Sequence, residues 1–276
     1  MKKNAMCCVL LCLPFMGAAF DEIEVTPLNP HGWQAVNVRT DGLVEFSKDQ
    51  PLFGDGSLLF ATDTQTNGQD KADFELLWQQ STNAIDYPDR TLGHISAMNY
   101  AWYRDGTESS TNAHFIPAFR LSFYDDGGSP ADLSDDVLGL LVWEGVYNGL
   151  SSPATDSWQI IDIKEGNFWV YVSQSAQGSG VIQNYNSTLD DWINNNPQGQ
   201  PGDKQVSLSA NTYITGINVG VGSGWGGTFL GYVDTVRVGF GVTDDLLYNF
   251  EVCSTFAASN NPDVIFNQSF ECHKHF

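Results

Sequence analysis

Positive charge is what this chain has least of: 12 lysines and arginines stand against 33 aspartates and glutamates, a formal net charge of -21 over 276 residues. Nucleic acid and anionic lipid surfaces are therefore poor partners, because no basic patch is available to hold a polyanion. Cysteine is almost as scarce. Three of the five, Cys7, Cys8 and Cys12, lie near the start, which leaves Cys253 and Cys272. The histidines, His31, His94, His114, His273 and His275, show no zinc-ligand spacing, and Cys272-His273-Lys274-His275 reads as a polar tail. No phosphate-cradling glycine loop and no nucleophile elbow is present. After the first twenty residues no apolar run is long enough to span a bilayer.

What is present begins with a leader. Lys2 and Lys3 precede an apolar run from Ala5 to Met16 and the small residues Gly17, Ala18 and Ala19, the pattern of a secretory signal peptide cleaved after Ala19. Lipidation at Cys12 is disfavoured by the bulky Leu11 before it. The expected division is a signal peptide over 1–19, one domain over 20–251 and a C-terminal tail over 252–276. Losing Lys2 and Lys3 and no acid moves the net charge from -21 to -23. The expected location is outside the cell, secreted or associated with its surface. An even pair of cysteines in an exported chain predicts a Cys253–Cys272 disulfide.

Between these ends the chain reads as many short strands. HGWQAVNVRTDGLVEFSKD suggests a hairpin about Asp41-Gly42, and WQIIDIKEGNFWVYV another about Glu165-Gly166. In AFRLSFYDD the residues Phe119, Leu121 and Phe123 face inward, with Arg120, Ser122 and Tyr124 outward. VLGLLVW is apolar on both parities, as a central strand is. The one helix candidate is STLDDWINNNP, with Ser187 or Thr188 as N-cap. So many turn-separated strands with so little helix predict an all-β fold, a two-sheet antiparallel jelly-roll sandwich with one short helix.

The stretch GSGWGGTFLGYVDTVRVGF, Gly222 to Phe240, combines a glycine-rich turn with a strand. Alternation places Tyr232, Asp234, Val236, Val238 and Phe240 on one face, the core face. Asp234 is thus an acid among apolar neighbours, and a cation, an arginine or backbone donors must compensate it. Calcium is one candidate. A carboxylate bonded only to backbone amides is the other.

Several segments carry a family resemblance: GWQ at 32–34, GDGSLLFAT at 54–62, LVWEGVYN at 141–148, WQIIDIKEGNFW at 158–169, GSGWGGTFLGYVD at 222–234 and YNFE at 248–251. Together they resemble a family of secreted bacterial jelly-roll domains of unassigned activity. GSLLFAT followed late in the chain by GYVDTVRVGF is more distantly similar to the first and last strands of galactose-binding-like carbohydrate-binding modules. That resemblance implies glycan binding and a structural calcium to which Asp234 contributes. NNPDVIFNQSFE resembles a C-terminal motif of exported bacterial proteins, with Ser269 where glycine is usual.

Aromatic side chains can stack on sugar rings, but Trp143 on its doubly apolar strand and Trp192 on the helix suit the core. Trp225 in the glycine-rich turn, and Tyr103 and Tyr147 near loops, are the candidate ligand residues. The acids Asp125, Asp126, Asp132, Asp135 and Asp136 lack EF-hand spacing and suit a solvated hairpin loop. Glu144, Asp156, Asp162 and Glu165 form no catalytic arrangement in sequence, so no catalytic residue is assigned. The expected function is a non-catalytic module for a polysaccharide or glycan. The alternatives are a structural or adhesive surface protein, or a hydrolase or lyase using acids such as Glu144 and Asp162.

Overall fold

The computed structural model describes residues 20–63, 69–79, 85–107, 109, 113–198, 206–222, 224 and 227–253. Its strands, in chain order, are β1 (Asp21–Val25), β2 (Trp33–Arg39), β3 (Leu43–Ser47), β4 (Ser57–Thr62), β5 (Lys71–Leu77), β6 (Ile95–Arg104), β7 (Ala118–Asp125), β8 (Val137–Trp143), β9 (Gln159–Asp162), β10 (Trp169–Gln174), β11 (Gly180–Ile182), β12 (Tyr213–Gly222), β13 (Phe229–Phe240) and β14 (Asp244–Phe250). The helix α1 (Leu189–Ile193) lies between β11 and β12. Its N-cap is Thr188, whose hydroxyl accepts from the Asp191 amide while the Asp191 carboxylate accepts from the Thr188 amide.

The strands form two seven-stranded sheets. The second runs β11-β10-β8-β7-β12-β5-β2 and places β8 in its interior, as the unbroken apolar run of that strand requires. The first runs β1-β14-β13-β4-β3, with β6 along the other side of β13 and β9 beyond it. Every strand pairing is antiparallel except β1 with β14. The two inner faces close on one core containing Phe60, Tyr100, Phe119, Trp143, Phe168 and Phe250. This is a two-sheet β-sandwich.

Both expected hairpins are instead crossings between the sheets. β2 pairs with β5 in the second sheet, whereas β3 pairs with β4 in the first. Likewise β9 pairs with β6, and β10 with β8 and β11. The cause is the core: Trp33 stacks on Phe74 with centroids 5.5 Å apart, and Ile163 and Phe168, both at 0% exposure, flank the second turn. Burying these side chains between the layers outweighs a local ladder.

β13 forks. Phe229–Val233 pair with β4, Val236–Phe240 pair with β14, and the ladder to β6 shifts between Asp234 and Arg237. Thr235 sits in this bulge with φ +50°. The extra residue inverts the alternation, so Val233 joins Val236 and Val238 in the main core while Tyr232 joins a separate cluster with Leu59 and Tyr103. The expected single core face from Tyr232 to Phe240 is therefore split at Asp234.

Candidate functional site

The outer face of the second sheet carries two side-chain rows that run across the strands. Direct pairing aligns Trp169, Val142, Arg120, Asn218, Glu75 and Gln34 in one row, and Tyr171, Leu140, Ser122, Gly216 and Leu77 in the next. At ~4.8 Å per strand the first row extends about 24 Å. Asp73 fixes its charged middle, accepting from Arg120 Nη1 at 2.9 Å, Lys71 Nζ at 2.8 Å and Asn37 Nδ2 at 3.0 Å. Arg120 Nη1 also reaches Asn218 Oδ1 at 2.6 Å. Burial raises the Glu75 pKa. An open groove of about 650 Å³ lies on this face, lined among others by Gln34, Glu75, Leu77, Tyr124 and Leu138.

At the Trp169 end the face meets a second cleft, about 270 Å³, lined by His114, Phe115, Glu144, Tyr147, Trp169 and Gly224 among others. Glu144 follows β8, Tyr147 lies on the 3-10 turn Gly145–Asn148, and Trp169 opens β10. Asn148 holds that turn, donating from Nδ2 to the Glu144 carbonyl at 2.9 Å and accepting at Oδ1 from the Asn167 amide at 2.7 Å. The Trp169 Nε1 donates to Glu144 Oε2 at 3.0 Å. Tyr147 stacks on Tyr185 with centroids 4.0 Å apart, and Tyr185 meets the Trp169 ring edge-on at 6.1 Å. Burial raises the Glu144 pKa, against the pull of the Trp169 hydrogen bond and the positive charge of Arg120. The Tyr147 phenol is pushed up to about 12, chiefly by burial.

Of the expected ligand residues, Tyr147 stands in this cleft. Trp225 lies outside the described residues, although its neighbour Gly224 lines the cleft. Tyr103 is 9% exposed on the outer face of the first sheet, 5.8 Å from the Tyr232 ring and 5.9 Å from that of Trp158. Trp143 and Trp192 are core residues, each 1% exposed. Trp169 and Tyr171 had a readable signal, since their shared parity opposes the apolar Val170 and Val172. What the sequence hid was the company of Glu144 and Tyr185.

Asp234 is fully buried, and its carboxylate is turned to backbone amides. Oδ1 accepts from Thr235 at 2.7 Å and Phe250 at 3.0 Å, and Oδ2 from Phe53 at 3.4 Å. These donors belong to the fork, where a continuous ladder cannot satisfy them. Burial lifts the Asp234 pKa to about 6 despite the amides. Nearby, Glu251 Oε2 accepts from the Asp55 amide at 2.6 Å, and burial pushes that acid to about 7. Among the described residues the acids that converge as metal ligands can are Asp41, Asp63 and Asp70, with one carboxylate oxygen from each within 4.8 Å of the others. Asp70 accepts from the Asp41 amide at 3.4 Å and the Asp63 amide at 3.2 Å.

The acids Glu144 and Asp162 belong to different sheets: Glu144 follows a strand of the second, whereas Asp162 pairs with Asn99 in the first. The β7–β8 loop uses its acids locally, with Asp126 accepting from Gly128, Asp132 from Ser134 and Asp135 from Ser129. Cys253 is described, but Cys272 lies outside the described residues, as do the expected signal peptide at 1–19 and residues 254–276 of the expected tail.

No family model and no curated protein matches the chain. Among the described residues no helix is long and apolar enough to cross a membrane. Solved structures that it resembles include one from a study of promiscuous specificity in carbohydrate-binding modules of the β-sandwich superfamily, at 13% identity and TM-score 0.33, covering 75% of this chain and 56% of that one. Another is the cellulose induced protein Cip1, at 11% identity and TM-score 0.37, covering 81% and 94%. A third is the CBM22-1-GH10 portion of Clostridium thermocellum xylanase 10B with xylohexaose, at 9% identity and TM-score 0.28, covering 78% and 27%. The chain spans about half the length of the first. The sandwich itself is shown by this chain's own sheet order, two seven-stranded layers closed on one core.

Proposed function

We propose that the protein is a secreted, non-catalytic glycan-binding module that holds a polysaccharide chain across the outer face of the second sheet. The observation that carries this reading is the pair of cross-strand rows, which join an open groove to an aromatic cleft over a length of several sugar rings. Sugars offer apolar ring faces and a rim of hydroxyls. Trp169, Tyr171 and Tyr147 suit the first, and Gln34, Glu75 and Asn218 the second. The separation of Glu144 from Asp162 removes support from a hydrolase built on that pair.

Screening immobilised plant, algal and bacterial glycans, followed by calorimetry on any hit, tests the proposal. Trp169→Ala should weaken binding about tenfold or more at unchanged fold, whereas Trp158→Ala on the other sheet should leave it alone. Equal effects of the two substitutions, or no hit at all, would count against this face.

A structural calcium belongs to the same proposal. We place it at Asp41, Asp63 and Asp70, where one oxygen from each of three carboxylates converges, in preference to Asp234, which brings a single carboxylate to backbone amides. A Cys253–Cys272 disulfide would tether the C-terminal residues to this sandwich.

A further inference from the structure

Resting on glycan binding at the cleft beside β10, we infer that this cleft selects a sugar carrying a free, protonated amino group, with Glu144 as its counter-ion and Trp169 and Tyr147 as its aromatic walls. Three observations meet there. Glu144 is half-buried yet takes part in no ion pair among the described residues. Its one side-chain hydrogen bond there comes from the neutral Trp169 indole, to Oε2. The cleft that contains it is aromatic, with Tyr147, Trp169 and Phe115 among its lining residues and Tyr185 stacked behind Tyr147.

A carboxylate in aromatic surroundings is the usual physical solution for binding an ammonium. The charge pair recovers the cost of desolvating the acid, and ring faces attract the cation through their quadrupoles. A purely neutral sugar would leave that acid without a direct ion pair, under only the longer-range charges of Arg120 and His114. Charged and polar groups from several elements surround Glu144. Arg120 on β7 is engaged with Asp73 and Asn218. His114 lies across the cleft. Tyr147 and Tyr185 bring phenols, and Trp169 brings an indole. The raised Glu144 pKa agrees with a site that lacks its cation. No covalent step is involved, and proton release from the bound amine is suppressed by the salt bridge.

The test compares a glucosamine hexamer, its fully N-acetylated counterpart and cellohexaose by calorimetry with the full chain, in wild type and in Glu144→Gln. Glutamine preserves the acceptor for the Trp169 indole, and circular dichroism checks that the fold survives. The free-amine hexamer should bind about tenfold tighter than the acetylated one, and Glu144→Gln should abolish that margin by weakening the free-amine hexamer more than the acetylated one. Equal affinities for the two hexamers would overturn the inference. So would a preference that persists in Glu144→Gln, since it would then be long-range attraction by an acidic chain. Binding of cellohexaose or the acetylated hexamer without an amine preference leaves glycan binding standing and removes the amine. Binding of none of the three removes the amine preference and leaves glycan binding to be decided by the wider screen.

Discussion

Two acids in this molecule, Asp234 buried at the fork of β13 and Glu144 half-buried beside β10, are bonded in opposite ways. Asp234 accepts from amides of three separate segments, at Phe53, Thr235 and Phe250. Glu144 has a single side-chain hydrogen bond among the described residues, from an indole, and opens on a cleft. The difference separates a structural acid from a binding one. A carboxylate whose lone pairs are taken up by the backbone closes a gap in the fold, whereas one left short of donors has capacity for a ligand.

The largest expected effect tests that contrast directly. Asp234→Ala leaves three amides unpaired in the interior and should cost about 4 kcal/mol of unfolding free energy, while Glu144→Gln should cost under about 1 kcal/mol. Urea titration of both variants measures the gap. Similar losses in the two would erase the distinction.

A smaller effect should appear with pH. The Asp234 pKa is raised from 3.8 to about 6 and that of Glu251 from 4.5 to about 7, chiefly by burial. The folded protein therefore holds protons that the unfolded chain releases, so the contribution of these acids is full below their unfolded values and is lost as pH rises through about 6 and 7. For Asp234, which is wholly buried, the loss is on the order of 2 to 3 kcal/mol. Stability measured by denaturant from pH 4 to 8 should fall, and Asp234→Asn should flatten the lower part of that fall. A wild-type profile that rises over this range would contradict the assignment.

The smallest effect concerns calcium. At a tenfold excess over Kd the ion should add about 1.4 kcal/mol to the stability of the chelator-stripped protein. Asp70→Asn should remove that response, and Asp135→Asn, in the β7–β8 loop, should leave it intact. If Asp234→Asn removes it and Asp70→Asn does not, the cation sits at the fork and Asp234 is no longer a purely backbone-bonded acid.

Local rules explain how much was legible beforehand. Strand alternation found Phe119, Leu121 and Phe123 in the core, side-chain capping found α1, and burial cost alone showed that Asp234 required compensation. Each depends on residues close in sequence or on the properties of one side chain. The two crossings, the fork and the cleft depend on contacts between distant segments. Thr235 illustrates the limit: a single bulged residue at φ +50° inverts every face downstream, and it arises because β13 must exchange β4 for β14. The cleft is similar, since Glu144 and Tyr147 share the turn after β8 and meet Trp169 and Tyr185 only because β10 lies beside β8. An acidic, strand-rich chain with a buried acid that needs a partner follows from composition and a period of two alone. Tertiary structure alone decided which sheet each strand joined, which donors reached Asp234 and which acid was left facing a cleft, because these depend on how the two layers share one core.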